Sequence, residues 1–258
     1  MAHYQQQHAR ARRAFGQNLL TDPAAVRRLV AAAEIGPGDL VHEVGAGRGH
    51  LTGELARRTG RLVAYEVDPE MAAAMPRLPG VTVRTGDFLR AVPPDEPFAV
   101  VGNIPYALTS AVVDWCLQAP ELTTATLLTQ LEYARKRTGD YGRWTRLTIS
   151  TWPELDWRLA GRVPRTAFRP VPRVGGGILR LRRRPVPLVS DPTAWRRFVH
   201  LGFTGRGGSL WASMQHRYGG RRTSAAFRAA RVAEDVPVGV VWPEQWLTLF
   251  HLLDRLVR

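Results

Sequence analysis

Cysteine is nearly absent: Cys116 stands alone in 258 residues. No intramolecular disulfide can form, and there is no cysteine framework for zinc or for a secreted scaffold. Around it, Val112-Val113-Asp114-Trp115-Cys116-Leu117 forms an apolar helical pattern in which a small buried thiol fits. Lysine is as scarce, with Lys136 the only one. The lysine-bearing glycine loop that grips nucleoside triphosphates is therefore missing. No apolar run approaches the length of a membrane span, and the first residues are polar and basic. A cytoplasmic location with no membrane association is expected. There is no internal repeat. A hydrophobic content of 45% is enough for a substantial core and excludes a disordered chain.

Basic charge, in contrast, is abundant and unevenly placed. The net charge is +14. Positions 1–28 hold five basic and one acidic residue, and positions 29–132 hold seven and thirteen. Positions 133–184 hold fourteen basic and three acidic residues, and the remainder ten and five. An acidic middle between basic flanks points to a site for a small, partly cationic ligand beside a surface for a polyanion. The preference for arginine has two readings, a GC-rich genome or guanidinium–phosphate bonding.

Residues 1–16 read as a basic arm, with Arg10, Arg12 and Arg13 placed to follow a phosphate backbone. Asp22-Pro23 starts an amphipathic helix over 23–33. Strands are expected at 40–44, 62–66, 81–85, 98–102, 125–130, 146–152 and 176–182, with helices between the early ones. That alternation predicts a parallel, doubly wound sheet whose strand-end motifs share one edge. Arg183-Arg184-Pro185-Val186-Pro187 reads as a linker. The expected organisation is thus the arm at 1–16, a catalytic domain at 17–184 and a small all-α domain at 189–258.

The strand ends carry the chemistry. Glu43-Val44-Gly45-Ala46-Gly47-Arg48-Gly49 joins the first strand to a helix, and its glycines allow close backbone approach to a ligand. The spacing is G-x-G-x-G, not the dinucleotide pattern. Glu66 ends the next strand, where a carboxylate can grip ribose hydroxyls. Asp68 is an alternative, or a helix cap before Pro69. Asp87 ends the third strand, placed to accept from an adenine amino group. Asn103-Ile104-Pro105-Tyr106 ends the fourth: an amide acceptor beside a flat ring suits a planar, amino-bearing substrate such as a nucleobase. His42 and His50 read as packing or surface histidines.

This series resembles class I S-adenosylmethionine-dependent methyltransferases, with a Rossmann-like seven-stranded sheet. More narrowly it is similar to the ribosomal RNA adenine N6-methyltransferases. The resemblance runs through Phe15-Gly16-Gln17-Asn18, the glycine loop, Glu66-Val67-Asp68, Gly86-Asp87-Phe88, Asn103-Ile104-Pro105-Tyr106 and Phe168-Arg169-Pro170-Val171-Pro172-Arg173-Val174. Asn18 after Gln17, and Gln130-Leu131-Glu132-Tyr133-Ala134-Arg135-Lys136, look more like the Erm resistance branch than the small-subunit branch. The resemblance implies an S-adenosyl-L-methionine cofactor held by Gln17, Asn18, Leu19, Gly45, Ala46, Gly47, Glu66, Val67, Asp87, Phe88 and Asn103. It implies transfer to N6 of an adenine flipped out of its stack. Asn103, Ile104, Pro105 and Tyr106 would hold that base, and Phe168 would cover its other face. Arg135, Lys136, Arg137, Arg165, Arg169 and Arg173 join the arm as expected RNA contacts.

The implied substrate is 23S rRNA, free or in an early ribosomal precursor, methylated by a monomer to give resistance to macrolides, lincosamides and streptogramin B. The alternatives are a 16S rRNA dimethyltransferase and a non-catalytic RNA-binding assembly factor on the same scaffold. Methyltransferases of DNA adenine or protein glutamine typically carry proline where Ile104 stands. Two departures from the family pattern, Gly175-Gly176 and Thr204-Gly205-Arg206-Gly207-Gly208-Ser209, bear on RNA docking rather than on the cofactor.

Overall fold

Proline and capping carboxylates set where helices begin. Asp22 accepts from the Ala24 and Ala25 N–H groups at 2.8 and 3.4 Å, opening α1 (Pro23–Ala33). The computed structural model describes residues 18–205 and 208–254; Arg10, Arg12, Arg13 and Gln17 lie outside them. After a two-residue strand β1 (Leu19–Leu20), the chain alternates β2 (Leu40–Val44), α2 (His50–Leu55), β3 (Arg61–Glu66), α3 (Pro69–Ala73) and β4 (Val81–Thr85). It continues through β5 (Phe98–Asn103), α4 (Thr109–Gln118), β6 (Leu122–Gln130) and α5 (Leu131–Arg137). Then come α6 (Arg146–Thr151), β7 (Leu155–Val163), a second two-residue strand β8 (Phe168–Arg169) and β9 (Gly176–Arg183).

Seven strands form one sheet in the order β4-β3-β2-β5-β6-β9-β7. Strands β2 to β6 are mutually parallel and β9 runs antiparallel to β6. Chain order reverses between β2 and β5, so the crevice beyond their carboxyl ends is where such a sheet takes a ligand. Alternation along the strands divides the residues between two faces. Val41, Ala99, Val101, Leu128 and Ile178 pack with Val26, Leu29, Leu51 and Leu55 of α1 and α2. Each large side chain buried there contributes roughly 1.5–3 kcal/mol. A run of rings connects the residues of the other face: His42 lies 5.4 Å from Tyr65 and 5.2 Å from Phe98, and Phe88 lies 4.4 Å from Trp115.

One expected strand is a helix. Residues 146–152 hold the β-branched run Thr148-Ile149-Ser150-Thr151, which reads as strand. Thr145 instead caps α6, its hydroxyl accepting from the Thr148 N–H at 3.2 Å. The sheet strand is β7, a few residues later, whose alternating Leu155, Trp157 and Val163 are buried. The division into compact units follows. One unit takes the chain through Ala134 and then Arg158–Arg183; the other takes Arg135–Trp157 and everything from Arg184 onward. Residues 135–157, placed by sequence in the sheet domain, group with the C-terminal helices because Trp144 and Ile149 belong to their core.

That second unit adds α7 (Pro192–Gly202), α8 (Leu210–Tyr218), α9 (Gly220–Ala229) and α10 (Pro243–Leu253). Trp195, Phe198, Phe227, Trp246 and Phe250 fill its interior. The Trp195 indole N–H donates to the Ile149 carbonyl at 3.0 Å, tying α6 to α7. No helix among the described residues is long and apolar enough to cross a membrane.

Candidate active site

The glycine loop begins where β2 stops. Gly45, Gly47 and Gly49 take φ of 71°, 57° and 81°, a left-handed series that L side chains adopt at a cost. The Gly45 and Ala46 N–H groups donate to the Tyr65 carbonyl at 3.0 and 2.9 Å, locking the loop to β3. The Gly47 N–H donates to Glu66 Oε2 at 2.6 Å, and the Asp68 N–H to Oε1 at 3.0 Å. Glu66 is almost fully buried. Each of its oxygens accepts one backbone bond and keeps a further lone pair for a ligand. Asp68 turns its side chain elsewhere, capping α3 through the Glu70 and Met71 N–H groups. Of the two carboxylates, Glu66 lines the adjoining cavity and Asp68 does not.

A cavity of about 250 Å³ opens beside Glu66. Val67, Phe88, Leu108 and Pro105 supply apolar walls, and Asp87 sits at its rim. Asp87 Oδ1 accepts from the Leu89 N–H at 3.0 Å, which fixes the carboxylate and leaves Oδ2 for another donor. Flat apolar walls between two oriented carboxylates suit an adenosine group. Leu108 and Val112 escape sequence reading, because a helix start says nothing of what its first turn overhangs.

Asn103 extends one residue past the paired end of β2, opposite Leu128 of β6. Its Nδ2 donates to the Asn18 carbonyl at 2.7 Å, which turns Oδ1 the other way as an acceptor. Ile104 is buried, and its N–H donates to the Leu128 carbonyl at 3.0 Å, so it contributes through its backbone. The Pro105 carbonyl accepts from the Leu108 N–H at 2.8 Å, closing a short 3₁₀ turn at Tyr106–Leu108. Tyr106 is half-buried, and burial raises its phenol above the ordinary value, so it offers a neutral ring rather than a phenolate.

Residues 18–20 lie across these parts. Leu19 packs on the glycine loop, its Cδ2 being 3.3 Å from where a Cβ on Gly47 would stand. Leu20 pairs with Phe168 and Leu19 with Arg169 in the β1–β8 ladder, and the Thr21 N–H donates to the Ala167 carbonyl at 2.9 Å. Phe168 is therefore not a lid over a base. Its ring is wholly buried with Leu20, Leu128, Val163 and Ile178, and it serves to hold the 18–20 segment in place. Arg165, Arg169 and Arg173 are exposed on the same unit. In the second unit Lys136 is exposed, Arg135 pairs with Asp140, and Arg137 donates to the Thr145 hydroxyl at 3.1 Å.

Two buried groups behind the loop are electrostatically unusual. Glu43 is fully buried; burial pushes its carboxyl up to about 8, against the nearby Thr52 hydroxyl and with help from the Glu66 charge. His42, between Tyr65 and Phe98, is lowered to about 4 by burial and then by the Arg84 charge, which makes it a neutral packing residue. His50 is exposed at the start of α2. No group of three or more His, Cys, Asp or Glu side chains among the described residues could hold a metal ion.

This sheet order, with a glycine loop and then a cavity-lining carboxylate on each of the next two strand ends, defines a class I methyltransferase. The family model described as ribosomal RNA adenine dimethylase matches residues 8–255. The chain belongs to that family, and it is an S-adenosylmethionine-dependent methyltransferase. It is 52% identical over 255 residues to an rRNA adenine N-6-methyltransferase of Aeromicrobium erythreum, covering 96% of this chain and 75% of the relative. It is 35% identical to the mycinamicin-resistance protein MyrB of Micromonospora griseorubida, covering 93% and 78%. The crystal structure of the 23S rRNA methyltransferase ErmE superposes with a TM-score of 0.89 at 48% identity, covering 92% of this chain and all of that one.

Proposed function

We propose that the protein methylates N6 of one adenine in 23S rRNA and so confers resistance to macrolides, lincosamides and streptogramin B. The observation that carries the reading is Asn103: its amide nitrogen is spent on the Asn18 carbonyl, which leaves Oδ1 as an acceptor, and Pro105, two residues on, lines the cavity that also holds Glu66 and Asp87. Similarity to ErmE and to MyrB supports the 23S substrate and the resistance outcome over the small-subunit alternative.

In this reading Glu66 holds the ribose, Asp87 the adenine ring, and Gly45, Ala46, Gly47 and the Asn18-Leu19 segment the methionine part. S-adenosylmethionine bound there supplies a methyl group on a sulfonium, ready for in-line displacement. The target amino nitrogen is a poor nucleophile because its lone pair is delocalised into the ring. Asn103 Oδ1 and a carbonyl of the Ile104-Pro105 segment accept its two N–H groups, drawing density onto nitrogen and favouring tetrahedral geometry. Tyr106 stacks on the base and fixes the angle of approach. The residues act by alignment and preorganised dipoles. No dedicated base is needed, since the methylated nitrogen sheds its proton readily to water. The test is incubation with labelled cofactor and 23S or 16S rRNA, followed by mapping of the modified base. One labelled adenine in 23S rRNA is expected. Labelling confined to 16S rRNA overturns the branch, and no labelling of either overturns the rRNA reading.

A further inference from the structure

Two large rings on the second unit remain half in water although each is rigidly held. Tyr141 is 48% exposed and Trp242 is 54% exposed. Trp242 packs on the buried Trp144, and the turn that carries Tyr141 packs on the same indole. Trp242 meets Trp144 edge-on with centroids 5.6 Å apart, and Trp152 backs Trp144 at 5.4 Å. The turn carrying Tyr141 lies against Trp144, so that a Cβ on Gly139 would come within 2.5 Å of the indole. The Trp144 N–H donates to the Gly239 carbonyl at 2.6 Å, tying this turn to the segment that leads into Trp242. Tyr141 has its own clamp: the Arg135 guanidinium stands 3.9 Å from its ring centroid and is fixed by an ion pair with Asp140.

A single exposed aromatic residue is ordinary. Two on segments that meet at one buried indole, one ring packed on that indole and the other under an arginine, are a surface. The charge around them says for what. The unit holds sixteen basic and eight acidic residues. Lys136, Arg143 and Arg146 are exposed on the elements flanking Tyr141, and Glu244 is the acidic group in the first turn after Trp242. Basic side chains with free ring faces among them are the pattern that binds single-stranded nucleic acid: guanidinium groups follow phosphates and bases stack on rings.

We propose that Tyr141 and Trp242 form a stacking platform for unpaired bases of the RNA substrate; this rests on the rRNA reading above. The platform contributes to RNA affinity and has no part in methyl transfer. The test uses full-length protein, labelled cofactor and a 23S rRNA transcript, with a perfect RNA duplex of equal length as a second probe. Tyr141→Ala and Trp242→Ala each raise KM and Kd for the transcript by about fivefold to 100-fold, the range of one base–aromatic stack. At saturating RNA kcat stays at the wild-type value, cofactor affinity is unchanged, and duplex binding shifts little. Trp242→Phe restores most of the affinity. Trp242→Leu, which keeps apolar bulk without a π face, does not restore it and separates stacking from loss of packing. Wild-type KM in Trp242→Ala overturns the platform. So does a change in Trp242→Ala from dimer to monomer in sedimentation, because the rings are then a contact between copies. If wild-type protein labels no rRNA, the functional reading fails; if it does and the variants match it, only the platform fails.

Discussion

Asn103→Ala removes two different interactions, and their sizes can be separated. The amide nitrogen donates to the Asn18 carbonyl at 2.7 Å. A partly buried neutral hydrogen bond of this kind contributes about 0.5–1.5 kcal/mol net. Losing it loosens the segment whose Leu19 covers the glycine loop. Cofactor Kd should therefore rise about twofold to tenfold, at 1.4 kcal/mol per decade. In the proposed reaction the amide oxygen accepts from the amino group as it gains positive character. Loss of one such preorganised partner costs about 2.7–4 kcal/mol in the transition state, or 100- to 1,000-fold in kcat. Calorimetric titration of S-adenosylmethionine gives the first quantity, and single-turnover methyl transfer to a 23S rRNA fragment gives the second. Asn103→Asp adds a diagnostic, because a carboxylate cannot donate to the Asn18 carbonyl and repels it. Cofactor binding in Asn103→Asp should be weaker than in Asn103→Ala although the acceptor oxygen is retained. A kcat within tenfold of wild type in Asn103→Ala, or a Kd effect larger than the kcat effect, refutes the assignment.

Gly102 pairs with Val44, and an added Cβ would meet the Val44 carbonyl at 2.8 Å and the Ile104 Cδ1 at 3.0 Å. Gly102→Ala should cost about 1–3 kcal/mol by overpacking and lower activity more than stability, as read by denaturant midpoint beside kcat; unchanged activity counts against it. Glu66→Gln leaves one of the Gly47 and Asp68 N–H groups facing an NH₂ donor. Cofactor Kd should rise at least tenfold, and a value within twofold of wild type contradicts the role of Glu66. Glu43 has its carboxyl raised to about 8, so its contribution is fully present below the ordinary carboxylate range and is lost as pH rises toward 8. Glu43→Gln should abolish that decline in a Tm–pH profile between about 5 and 8, and an unchanged slope refutes the buried neutral acid. Phe168→Leu should raise cofactor Kd and lower kcat together through the 18–20 segment, whereas a stacking lid would alter KM for RNA alone.

The parts of the site that lie at strand ends were legible in the sequence, because a short apolar run followed by a glycine loop, an acid or an amide is a local signal. Glu66 and Asp87 line the cavity for that reason, and Asp22-Pro23 begins a helix. The misread elements are those settled by distant contacts. Thr148-Ile149-Ser150-Thr151 has the β-branched content of a strand, yet the Thr145 cap and the burial of Ile149 in the helical core make it a helix. The resemblance implies that Phe168 covers the base, and only its burial with Leu20, Leu128 and Ile178 shows that the ring is interior. A charge count also placed Arg135 and Arg137 on an RNA surface without revealing that Asp140 and Thr145 already engage them.

Under the proposed function, those distant contacts also explain how one short segment would serve two halves of the reaction. Leu19 touches the glycine loop proposed to hold the methyl donor, while the carbonyl of Asn18 orients the Asn103 amide proposed to hold the acceptor. Neither contact is strong, since each is a single van der Waals approach or a single neutral hydrogen bond. What makes them effective is that the segment is fixed from behind, by the Leu20–Phe168 pairing and by two N–H groups, of Thr21 and Asp22, on the Ala167 carbonyl at 2.9 and 3.2 Å. The Phe168-Arg169 strand thus reaches the chemistry without touching either reactant. Donor loop and acceptor amide share one brace, so a disturbance of that brace degrades cofactor binding and alignment in parallel, whereas a change at Glu66 or Tyr106 affects one partner at a time.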